Sequence, residues 1–137
     1  MSEIYLDHVA IAVNKDNMDN IKNIYQDLGF NFSKDEEVKS EKVNTSFAKV
    51  DQNTKIELLE PTDSSSPIDK YISKKGAGIH HLCFKVKDLD KKISELSKLG
   101  YHFIYETPKQ GAHGTLVNFI HPKSAGGVLI ELNQDQK

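Results

Sequence analysis

Two short runs of this chain alternate bulky and small or polar positions. In the first, Val9, Ile11 and Val13 interleave with His8, Ala10 and Ala12; in the second, Leu82, Phe84 and Val86 interleave with His81, Cys83 and Lys85. A period of two is that of a strand whose faces meet different surroundings. Each run is followed by a polar stretch and then by helical spacing. Met18, Ile21, Ile24 and Tyr25 predict a helix over about 17–28 that Gly29 stops, and Leu89, Ile93, Leu96 and Leu99 predict one over about 89–99 that Gly100 stops. Three further strands are expected in each half, at about 31–33, 45–50 and 55–60, then at about 101–106, 115–121 and 128–132.

Laid over each other, the halves keep register. His8 matches His81 at an offset of 73, Gly29 matches Gly100 at 71, and Glu57 matches Glu131 at 74. A repeat that survives two small indels is a structural duplication. The fold expected is α+β: two tandem β-α-β-β-β modules forming a curled mixed sheet around a cup. One domain over residues 1–137 would hold module one at about 5–62, a linker helix at about 66–76 and module two at about 78–134. The linker helix is read from Ser66 as cap, Pro67 at its first position, Gly76 past its end, and an apolar stripe of Ile68, Tyr71 and Ile72.

Composition narrows the partners. Formal net charge is -2 with both signs interspersed, which provides no basic face for nucleic acid. The apolar runs are a handful of residues, far below the roughly 20 that cross a bilayer. The single cysteine, Cys83, cannot form an internal disulfide. A cytoplasmic protein is expected.

The chemistry lies on the faces opposite the helices. Strand parity sets Val9, Ile11 and Val13 against the first helix and turns His8 the other way; likewise His81, not its neighbour His80, turns away from the second helix. Ile56 and Leu58, and Ile130 and Leu132, take the helix side, so Glu57 and Glu131 share the face of the histidines. Burying a carboxylate on an apolar strand is costly unless it is paired or bound to metal. Any one of the four could be an ordinary residue of a half-exposed strand. Parity and repeat agreeing at all four favour a metal site made of His8, Glu57, His81 and Glu131. Two imidazoles and two carboxylates suit cobalt, zinc, nickel, manganese or iron, and the lack of thiolates argues against structural zinc. Four ligands leave two octahedral positions for a substrate with adjacent oxygens.

On these residues the chain resembles the vicinal oxygen chelate superfamily and, within it, the methylmalonyl-CoA epimerases. The likeness runs through Asp7–Val13, Ile56–Pro61, Ser66–Ile68, Gly78–His81 and Gly111–Gly114, and is most telling in Phe119-Ile120-His121-Pro122-Lys123-Ser124 and Gly126–Leu132. It implies a divalent metal cofactor, an acyl-CoA thioester partner, a homodimer, and inversion at the carbon between thioester and carboxylate. That carbon's proton becomes removable when the metal stabilises the enolate oxygen, and inversion needs acid/base groups on both faces. The resemblance gives Glu131 a catalytic as well as a ligand role. Its repeat partner Glu57 is the expected second base; some members place a separate glutamate on the preceding strand, near Thr45 here, where no carboxylate stands. Thr45 and Asn44 are weak alternatives as orienting groups.

Two other functions share the pattern. A glyoxalase I-like lactoylglutathione lyase would use the same ligand order, and a non-catalytic binding or resistance module would keep the cup alone. Lys109, Gly111, His113 and Gly114 form a Gly-rich loop with a cation, expected over the substrate carboxylate or CoA phosphates, with an ordinary turn as the alternative.

Overall fold

The computed structural model describes residues 4–136, so residues 1–3 and 137 of the expected domain lie outside the described residues. The chain divides into two compact units, His8–His80 and the remainder of the described chain. Each contains most of one module.

The first module runs β1 (Tyr5–Ala12), α1 (Met18–Asp27), β2 (Glu36–Val38), β3 (Val43–Lys49) and β4 (Lys55–Pro61). Its strands lie in the order β2-β3-β4-β1, with β1 parallel to β4 and the others antiparallel. The second runs β5 (Gly78–Lys85), α3 (Leu89–Lys98), β6 (Lys109–Gln110), β7 (Thr115–Ile120) and β8 (Leu129–Asp135). Its order is β6-β7-β8-β5, with β5 parallel to β8. The fold is α+β with two β-α-β-β-β modules and mixed sheets, as the repeat predicted. β1 and β4, being parallel, cannot be joined by a tight turn, and α1, β2 and β3 lie between them in the chain.

The helix-side core of each module follows the alternation. Val13, Met18 and Leu58 are buried together with Ile11, Ile21, Tyr25 and Ile56 around them, and Val86, Leu89 and Leu132 with Phe84, Ile93, Leu96 and Ile130. Two residues assigned to those helix faces point out instead: Ile24 is 57% exposed and Leu99 74%. Leu99 sits past the last turn, where the chain leaves the core.

The strands expected at about 31–33 and 101–106 are reduced to single bridges, Phe32 with Ala48 and Phe103 with Ile120. Backbone bonds remain from Ser33 N–H to the Phe47 carbonyl at 2.7 Å and from Ile104 N–H to the Phe119 carbonyl at 2.8 Å, and side chains of the neighbouring strand add to them. Ser46 Oγ donates to the Ser33 carbonyl at 2.9 Å; at the matching place Asn118 accepts from Tyr105 N–H at 3.1 Å and donates to its carbonyl at 3.0 Å. The short strands β2 and β6 come later in the chain. Between β3 and β4, the Asp51 carboxylate accepts from the N–H groups of Asn53 and Thr54, both at 2.8 Å, which holds its carboxyl below the usual range.

The linker helix α2 (Pro67–Lys75) forms as its signals require, with Ser66 Oγ accepting from Ile68 N–H at 3.2 Å and Gly76 at φ 83° past its end. Its apolar stripe packs on the first module's face opposite α1, where Ile68, Tyr71 and Ile72 meet Ala10, Ala12, Val43 and Leu59. Two alanines on β1 make room for the helix.

Candidate metal centre

His8 stands on β1 and Glu57 on β4, which lie side by side as a parallel pair, with Ala10 opposite Glu57. Both side chains turn to the face opposite α1, and His8 Nε2 lies 3.5 Å from Glu57 Oε1 with side-chain exposures of 9% and 12%. The second module repeats this. His81 on β5 and Glu131 on β8 meet at 3.1 Å between Nε2 and Oε1, with exposures of 10% and 12%. Cys83, fully buried, is the strand partner of Glu131.

Each pair has an aromatic wall that the sequence reading did not single out. Phe47 lies across β3–β4 from Glu57 and stands edge-on to the His8 ring at 6.0 Å and 87°. Phe119 lies across β7–β8 from Glu131 and stands edge-on to His81 at 6.3 Å and 89°. Such geometry is favoured between rings. It packs one ring against each imidazole, on the side of the neighbouring strand. The signal was present, since the two phenylalanines are 72 residues apart, but an apolar residue at a repeat position reads as core.

The donor set fits a divalent ion. Bonds of about 2.0–2.2 Å from one metal to imidazole nitrogen and carboxylate oxygen place neighbouring donors roughly 3.0–3.5 Å apart. Both pairs show that spacing. It also suits an imidazole N–H donating to a carboxylate, so the chemistry of the donors and their duplication must decide.

Residues proposed as alternatives fall elsewhere. Thr45 Oγ1 donates to the Glu36 carbonyl at 3.3 Å, a bond that ties β3 to β2. Asn44 Nδ2 donates to Glu60 at 3.4 Å, on the face away from Glu57, and so is not placed to orient that ligand. In the loop before β7, Gly111 N–H donates to the Thr115 carbonyl at 2.8 Å, and an added Cβ would lie 2.6 Å from Val117 Cγ1. Glycine is required there by close approach. His113 adopts the left-handed conformation at φ 56°, followed by Gly114 at φ 71°, whose carbonyl accepts from Gln136 N–H at 3.1 Å. Lys109 Nζ lies 5.5 Å from the centre of the Tyr105 ring.

The family model for the Glyoxalase/Bleomycin resistance protein/Dioxygenase superfamily matches residues 7–119, and the chain belongs to that superfamily. Over 132 residues it is 41% identical to the mitochondrial methylmalonyl-CoA epimerase of Dictyostelium discoideum, covering 94% of this chain and 77% of the relative. The methylmalonyl-CoA epimerase of Mycobacterium tuberculosis, a solved structure, is similar at 38% identity and a TM-score of 0.84, over 96% of this chain and 88% of that one. A methylmalonyl-CoA epimerase solved in complex with methylmalonyl-CoA is similar at 29% identity and a TM-score of 0.86, over 98% and 96%. Within the superfamily, the chain is a member of the methylmalonyl-CoA epimerase family.

Proposed function

We propose that the two His–Glu pairs hold one divalent metal ion and that the protein epimerises methylmalonyl-CoA at C2. The observation that carries this reading is the duplicated pair: an imidazole and a carboxylate, both nearly buried, on matching parallel strands of two modules. His8, Glu57, His81 and Glu131 are the ligands. Epimerases at 36–41% identity over most of the chain support the substrate class. Bound in this quartet, cobalt, zinc, nickel, manganese or iron supplies Lewis-acid polarisation of the thioester oxygen.

The chain's own groups move the proton. Glu131, ionised, takes it from C2 of one epimer, and Glu57, entering the cycle protonated, gives its own proton to the other face of the planar enolate; the reverse direction starts from the opposite protonation states. Phe47 and Phe119 stand edge-on to the two histidines and flank the carboxylates across the strand pairs. Lys109, Gly111, His113 and Gly114 are the proposed contacts of the acyl-CoA, through the lysine charge and backbone groups of a tight loop. The modules act as one catalytic domain, and a homodimer is the expected assembly, tested by light scattering.

The deciding experiment incubates metal-loaded protein with a single epimer of methylmalonyl-CoA in deuterated water. Deuterium at C2 with formation of the other epimer is expected. Turnover of the glutathione hemithioacetal alone would move the assignment to a lyase, and neither activity, with no metal found by elemental analysis, to a binding module.

A further inference from the structure

The first N–H group of a helix has no partner within the helix. At the start of α1, Met18 N–H donates to Glu60 Oε2 at 3.4 Å; at the start of α3, Leu89 N–H donates to Gln134 Oε1 at 2.7 Å. Glu60 and Gln134 are 74 residues apart, the same offset as Glu57 and Glu131, and each lies three residues beyond the glutamate of its strand. Three residues along a strand is the opposite face. The glutamates therefore turn to the site while Glu60 and Gln134 turn to the helices. The two residues differ in charge and share one capability, a side-chain oxygen that accepts.

The place of this bond gives it a role. In each module the histidine strand and the glutamate strand form a parallel pair whose last rung is Val13 N–H to the Leu59 carbonyl at 2.9 Å, or Val86 N–H to the Asn133 carbonyl at 2.8 Å. The Glu60 and Gln134 bonds lie one residue beyond those rungs. No hairpin sets the register of a parallel pair, and a slip of one residue would turn the glutamate to the wrong face. The histidine strand leads into the helix through a short connection, residues 13–17 or 86–88, so a bond from the glutamate strand to the helix start ties one strand to the other. We infer that Glu60 and Gln134 are positioning residues: they pin the register that brings each glutamate to its histidine.

This inference rests on the metal reading above, and the test separates the two. Binding of cobalt(II) is measured by calorimetry and by visible absorption on the full chain, beside thermal midpoints. Gln134→Leu is expected to bind cobalt about tenfold more weakly, with an altered absorption band, in line with the usual effect of residues that orient ligands. Gln134→Glu keeps the acceptor and should bind as the unaltered protein does. Asp88→Ala removes the cap of the same helix, where Asp88 Oδ1 accepts from Lys91 N–H at 3.1 Å, and should lower the midpoint while leaving cobalt affinity intact. Equal affinity in Gln134→Leu, or equal weakening in Asp88→Ala, would overturn the inference. If Gln134→Leu does not fold, Glu60→Leu against Glu60→Gln gives the same comparison in the first module. Cobalt binding unchanged by His81→Ala would instead defeat the metal reading itself.

Discussion

At the residue scale the proposed chemistry rests on two nearly buried carboxylates, each within 3.5 Å of an imidazole. An amide in place of the carboxylate keeps shape and removes the base. Glu131→Gln and Glu57→Gln should each lower epimerisation by a factor on the order of 10² to 10⁴. The finer expectation concerns exchange: with one base left, the proton of one epimer should still wash out into deuterated water without inversion. Following each epimer separately by NMR checks this, and full inversion by Glu57→Gln would remove Glu57 from the mechanism. These residues were legible because they break the apolar pattern twice at one repeat position. Phe47 and Phe119 were not, because a phenylalanine in a strand satisfies the pattern it belongs to; only the edge-on contact with His8 and His81 gives them a role.

Among the elements, α2 is the linker helix whose apolar stripe packs on the first module. It covers Ala10, Ala12 and Leu59, which lie on the same face of their strands as His8 and Glu57. Its start depends on Ser66, fully buried, whose hydroxyl accepts from Ile68 N–H at 3.2 Å and donates to the Glu41 carbonyl at 3.3 Å. Ser66→Ala should cost about 1–2 kcal/mol, the upper part of the range for a lost helix cap. A denaturant titration reads this, and a change within a few tenths of a kcal/mol would mean the hydroxyl is replaceable. Local signals announced this helix in full: serine, proline, apolar stripe, glycine. Its docking site was invisible, since nothing in Ala10 and Ala12 says which element fills the space they leave. The strands at 31–33 and 101–106 failed for a related reason. Their sequences suit extended chain, but each keeps only a bridge and a few backbone bonds, beside which Ser46 and Asn118 on the neighbouring strands bind them by their side chains.

For the whole molecule, metal and stability should be linked. A ligand that binds only the folded state adds about 2.7 kcal/mol at a hundredfold excess over its dissociation constant, so chelation should lower the thermal midpoint and abolish epimerisation. Restoring cobalt should return both; a midpoint indifferent to chelator and metal would contradict the quartet. Among the described residues no helix is long and apolar enough to cross a membrane. What the sequence determined by itself was everything that a period can encode: two modules, their helix faces, and the side to which His8, Glu57, His81 and Glu131 turn, because alternation and the 3.6-residue turn are properties of the chain alone. What only the tertiary structure decided was which side chains touch across strands that are distant in sequence. The approach of His8 to Glu57 and of His81 to Glu131, the aromatic walls, the seat of α2 and the bonds from Glu60 and Gln134 to the helix starts all depend on strand pairing. Pairing is set by the packing of many residues at once, and no local pattern carries it.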